Sequence, residues 1–178
     1  MSIGKVAPSR DSTAIDLLPP SQADRNLTYE FLTFFARMEF ALKHAGYLKA
    51  NPDRAEPDWT GYAHTLDGTF KGRLSAEFQQ ALRYLDEHPP KKQIAPDRKL
   101  GWKTPERLGV TSHEKWILDL VKIVRNNLFH GGKFPDPVGP VPEPSRDHRL
   151  LTACLAVLLE CLELSPDVKA AFTRKIEA

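Results

Sequence analysis

The chain has 178 residues, a formal net charge of +2, 41% hydrophobic residues and two cysteines. That is enough for one domain with its own core and too short for two comfortable ones. A near-balanced charge excludes a global field that would draw the chain onto nucleic acid or membrane, so any polyanion binding must come from a local patch.

Residues 1–25 mix Ser, Pro, Asp and Lys around a short apolar cluster, Ile15 to Leu18, and Pro19-Pro20 breaks any helix there. The reading is a loose arm docked through Ile15, Leu17 and Leu18, with no apolar core of a signal peptide. A single domain, 26–178, follows. Its first helix is predicted from about Leu27 to Ala45, with Phe31, Phe35, Met38, Leu42 and Ala45 on one face and Gly46 as the stop. Glu39 sits at the edge of that face. It can pair with Lys43 one turn on, or be a half-buried carboxylate that reaches Arg125. Trp59, Tyr62, Ala63, Leu66 and Phe70 predict a second, shorter helix weakened by Gly61. A third runs from about Ser75 to Glu87 with Leu74, Phe78, Leu82 and Leu85 inward, ending at Pro89-Pro90.

Residues 88–110 show little periodicity and carry six basic side chains against two acidic ones. A long connection inside a compact domain is usually functional or disordered. Lys91, Lys92, Arg98, Lys99 and Lys103 are either a solvated basic loop or candidate contacts to a nucleic-acid backbone, and Trp102 is an aromatic for docking or for stacking on a base. Thr111 followed by Glu114 reads as a capping box opening the next helix. Trp116, Ile117, Leu120, Val121, Val124 and Leu128 share its buried face. This helix ends in Arg125-Asn126-Asn127-Leu128-Phe129-His130-Gly131-Gly132-Lys133. The glycine pair supplies the positive φ that lets it stop.

Five prolines between Phe134 and Pro144 then predict an extended, semi-rigid connector. The segment from Arg149 to Leu164 is apolar nearly all round, which places it centrally in the core or in an interface. Cys154 and Cys161 lie two turns apart within it, about 10 Å, too far for a disulfide. They read as small buried residues of a reduced, cytoplasmic protein. Ser165-Pro166-Asp167 opens a last helix to about Ile176. No stretch alternates at period two. The fold class is all-α: an antiparallel bundle of four core helices plus short additional ones. No apolar run is long enough to span a bilayer.

Each polar residue of the Arg125–His130 cluster has a bland explanation. An arginine or histidine at a helix C-terminus stabilises the dipole, and asparagines bond free carbonyls. The cluster as a whole favours chemistry. Histidine exchanges protons near neutral pH, and arginine offers a planar fork of donors suited to phosphate. The six histidines show no metal-ligand spacing, and no nucleotide-binding glycine motif is present, so no metal and no cofactor is expected.

Arg125-Asn126-Asn127-Leu128-Phe129-His130 resembles the RNxxxH motif of the HEPN superfamily. The run into Gly131-Gly132-Lys133, together with Glu39 to Tyr47 near the first helix, is similar to a bacterial subgroup of it. The resemblance covers roughly Asn26 to Leu164. It implies a HEPN-like bundle and a metal-independent endoribonuclease acting as a toxin or defence effector. It implies Arg125, Asn126 and His130 as catalytic residues, Glu39 and Asn127 as supporting ones, and RNA as partner, with Lys133 a further candidate contact. An antitoxin or other regulatory protein is a further expected partner. Some HEPN toxins carry a tyrosine, modified by a partner enzyme, two residues after the histidine. That position here is Gly132. Five residues on an ideal helix leave Arg125 and His130 roughly 140° apart. Either the helix ends near Leu128 and His130 swings back, or the site combines two chains, as in HEPN homodimers. The rival readings are a non-catalytic HEPN module that binds RNA or protein, and a structural dimerisation domain.

Overall fold

The computed structural model describes residues 24–132, 139–141 and 143–175. The expected N-terminal arm, Lys133 and most of the proline-rich connector therefore lie outside the described residues. Among the described residues there are six α-helices: α1 (Arg25–His44), α2 (Trp59–Thr65), α3 (Ala76–Glu87), α4 (His113–Phe129), α5 (Pro144–Glu163) and α6 (Pro166–Thr173). Between α3 and α4 lies a two-stranded antiparallel ribbon, β1 (Lys92–Ile94) and β2 (Gly101–Lys103). The structure is thus mostly helical rather than purely so. Three-residue strands are too short to leave a period-two pattern, which is why this segment reads as loop in the sequence.

The helix starts follow from local capping. Asp24, Asp58, Ser75 and Ser112 each accept a hydrogen bond from the backbone N–H three residues on, opening α1 to α4. Gly61 does not simply weaken α2. A β-carbon there would collide with the Asp58 carboxylate, so the glycine admits the cap. Three expectations change. The cap of α4 is Ser112 rather than Thr111, and Glu114 turns inward at 3% exposure to accept the Phe70 N–H at 3.2 Å. Leu74 points out, 95% exposed, because α3 begins only after the Ser75 cap. Ser165 holds the cap position of α6, but its hydroxyl meets Tyr62 Oη at 3.0 Å instead of capping.

α5 is the central helix. It packs against α1, α3, α4 and α6, and Leu150, Leu151, Cys154, Leu155, Val157, Leu158 and Cys161 are all buried. Its apolar circumference thus serves the core, and neither cysteine is in a disulfide. Tyr84, near the end of α3, donates to the Arg146 carbonyl near the start of α5. Arg73, just before α3, pairs with Glu160 near the end of α5. These two helices therefore run antiparallel. α1 and α4 close the other side of the core through Phe31, Phe35, Met38, Ile117, Leu120, Val121 and Val124. Among the described residues no helix is long and apolar enough to cross a membrane.

Candidate active site

α4 stays helical to Phe129, and His130 is its C-cap, with its N–H still bonded to the Asn126 carbonyl at 2.9 Å. Gly131 takes φ +80 and Gly132 N–H returns to the Asn127 carbonyl at 2.6 Å, the long hydrogen bond of a Schellman turn. Of the two glycines only Gly131 uses positive φ. Gly132 is needed for space: a β-carbon there would lie 3.0 Å from Trp102 Cη2 and 3.0 Å from the Asn127 carbonyl oxygen. The helix ends at Phe129, one residue beyond Leu128, with His130 as its non-helical C-cap.

Arg125 is held from four sides. Its Nη2 is 3.5 Å from Glu39 Oε2, and its Nη1 donates to Asn126 Oδ1 at 2.9 Å. Its guanidinium carbon lies 5.4 Å from the Phe35 ring centroid and 5.6 Å from that of Phe129, within cation–π range. Glu39 reaches across to α4 rather than pairing with Lys43. Its second oxygen accepts the Trp59 indole N–H at 3.2 Å. Trp59 in turn stacks on Phe35 at 5.1 Å. The arginine is thus fixed by a layer of aromatic and carboxylate groups drawn from α1 and α2.

The other candidates divide. Asn126 and His130 are exposed. Phe129, itself 71% exposed, touches both the Arg125 guanidinium and the His130 ring, the latter at 5.6 Å between centroids. Asn127 faces inward at 6% exposure, and its Nδ2 donates to the Lys91 carbonyl at 2.8 Å. It ties the ribbon to the end of α4 and does not join Arg125. Lys91, Lys92, Arg98, Lys99 and Lys103 are all exposed, and Lys103 pairs with Glu106 at 3.4 Å. The other four make no ion pair among the described residues.

The sequence reading did not single out Phe35, Trp59 or Phe129 as site residues. Phe129 had a local signal, since it stands four residues after Arg125 on one helix, the spacing for a cation–π pair. Phe35 and Trp59 had none, because their approach depends on packing between elements. Among the described residues no cluster of three or more His, Cys, Asp or Glu is placed to hold a metal ion. No family model, curated protein or solved structure matches the chain.

Proposed function

We propose that this chain is a metal-independent endoribonuclease of the HEPN type, working as a homodimer in which each protomer contributes Arg125 and His130. The observation that carries the reading is a fixed guanidinium and an exposed histidine on one helix end, each against the Phe129 ring. Arg125 is held by Glu39, Phe35 and Phe129 in one geometry, while His130 and Asn126 remain open to solvent. A rigid fork of donors suits charge developing on a phosphoryl group.

In the reaction, the RNA 2′-hydroxyl loses a proton to one imidazole and its oxygen attacks the adjacent phosphorus. The 5′-oxygen leaves and takes a proton from a second imidazole. The products are a 2′,3′-cyclic phosphate and a 5′-hydroxyl. Two proton-transfer groups are needed and each chain offers one histidine in the cluster. Phe129 supports the two-chain arrangement, since an aromatic 71% exposed beside the reacting groups is a surface that a second copy would cover. Action as a toxin or defence effector follows from the same reading.

Phe129 also favours a second reading, a non-catalytic HEPN module whose helix end is an association surface. Incubation of purified protein with total RNA in EDTA separates the two, with the new ends mapped chemically. Cyclic phosphates that vanish in His130→Ala support the nuclease. Cleavage that needs a divalent ion, or that His130→Ala performs as fast as wild type, overturns the proposed mechanism. Association without cleavage favours the module.

A further inference from the structure

The β1–β2 ribbon is built against its own stability. Its register sets Lys92 directly opposite Lys103, both exposed. Like charges facing across an antiparallel pair repel, and a two-stranded ribbon is marginal even without that burden. At its tip, Asp97 and Arg98 both take left-handed φ, +49 and +60, which side chains adopt at a cost. Arg98 and Lys99 stand at that tip and Lys91 and Lys92 at the ribbon's open end, none with an ion pair among the described residues, while Lys103 pairs with Glu106 at 3.4 Å. What holds the ribbon is its inner side: Asn127 donates to the Lys91 carbonyl, and Trp102 lies against the bare backbone of Gly132. Side chains alternate along strands, so Gln93 and Trp102 share one face and Lys92 and Lys103 the opposite one.

We propose that this lysine-bearing face is a docking surface for a nucleic-acid phosphate backbone, fixed to the motif helix by Asn127 and the Trp102–Gly132 contact. A row of phosphates offsets the repulsion between Lys92 and Lys103 that the single Glu106 carboxylate leaves. Trp102 is committed to the motif turn, so the surface offers charge without a stacking platform. Binding is therefore insensitive to sequence and steep in salt. The choice of nucleic acid over another polyanion rests on the ribonuclease reading, because the ribbon is tethered to the turn that carries His130.

The test is fluorescence anisotropy with a labelled 2′-O-methyl oligouridine, which lacks the hydroxyl needed for cleavage, alongside phosphatidylglycerol vesicles. Lys92→Gln is the variant, since Lys92 is exposed and makes no ion pair among the described residues. At about 0.1 M salt it should bind about fivefold more weakly, and its log–log salt slope should be shallower by about 0.7. Its melting temperature should equal or exceed that of wild type, because a like-charge pair is relieved. Lys103→Gln should weaken binding in the same direction. Equal affinity and slope in wild type and Lys92→Gln overturn the proposal, as does binding to the vesicles with none to the oligonucleotide. If the oligonucleotide binds as described but RNA is never cut, the nuclease reading fails and this one stands.

Discussion

The Arg125 guanidinium and the Glu39 carboxylate meet at 3.5 Å across the junction of α4 and α1, both side chains about three-quarters or two-thirds buried. The pair is oriented rather than merely close, because Trp59 fixes the other carboxylate oxygen and Phe35 lies beneath the guanidinium. An arginine held this way loses little freedom when it meets a phosphate, which is what a transition-state contact requires.

For the reacting groups themselves, His130→Ala should lower the cleavage rate by about 100- to 10,000-fold, the usual worth of a general acid or base. Its melting temperature should barely move, since the residue is an exposed C-cap. Arg125→Lys should rescue poorly relative to Arg125→Ala, because an ammonium lacks the planar fork. Cleavage kinetics on matched variants, with circular dichroism melts, check both points. A His130→Ala enzyme of wild-type speed sinks the assignment.

Glu39 and Trp59 are positioning residues on this account. Glu39→Gln, or Trp59→Phe, which keeps the ring on Phe35 but removes the indole donor, should reduce kcat by up to about 100-fold, the scale of a 1 Å misplacement. KM should change less. In an Arg125→Ala background neither substitution should have a further effect, because the arginine they position is gone. Additive losses in the double variants would show that the two residues act by some other route.

Phe129→Ser tests the two-chain site. The ring is 71% exposed, so the isolated protomer should lose no more than about 1 kcal/mol, the worth of an exposed cation–π contact. Association measured by sedimentation should weaken markedly and activity should become dependent on protein concentration. A variant that associates like wild type places the contact elsewhere.

Gly132→Ala tests the link between ribbon and motif turn. The new methyl would press on Trp102 and on the Asn127 carbonyl, and overpacking of this kind costs about 1–3 kcal/mol. Urea denaturation should show that loss. Hydrogen exchange should show faster opening in residues 91–103 than in α5. A loss confined to α5 would contradict the packing described here.

Burial pushes the Tyr62 hydroxyl and the Cys161 thiol far above their ordinary values of 10.0 and 9.0. Tyr62 donates to the Cys161 carbonyl at 2.9 Å inside the core. Above about pH 9 the unfolded chain releases protons that the folded chain retains, so stability falls as pH rises. The contribution is fully present below that pH. Tyr62→Phe should be about 1 kcal/mol less stable at neutral pH through the lost hydrogen bond. It should, however, lose less stability than wild type between about pH 9 and pH 12, because one buried acid is removed. Parallel base-induced melts of the two proteins would refute this.

The sequence alone determined most of the helical framework. Apolar spacing at period 3.6 marked α1, α3 and α4, caps and prolines bounded them, and the unbroken apolar run of α5 announced the centre of the core. These are local signals, and helices are local structures. The same locality exposed the Arg125–His130 cluster, since it occupies consecutive positions on one helix end. What only the tertiary structure decided are the relationships between elements. Whether Glu39 paired with Lys43 or with Arg125 depended on how α1 crosses α4, and no periodicity encodes that. Asn127 stood in the motif as a supporting residue, but its side chain lies on the buried side of the helix and anchors the ribbon. Leu74 was apolar and adjacent to a helix, yet the Ser75 cap turned it outward. The ribbon itself was hidden, because its three-residue strands are held by Trp102 on Gly132 and by a side-chain bond to a backbone carbonyl. Such contacts join residues about thirty or more positions apart, and they exist only once the hydrophobic core has set the helices in place.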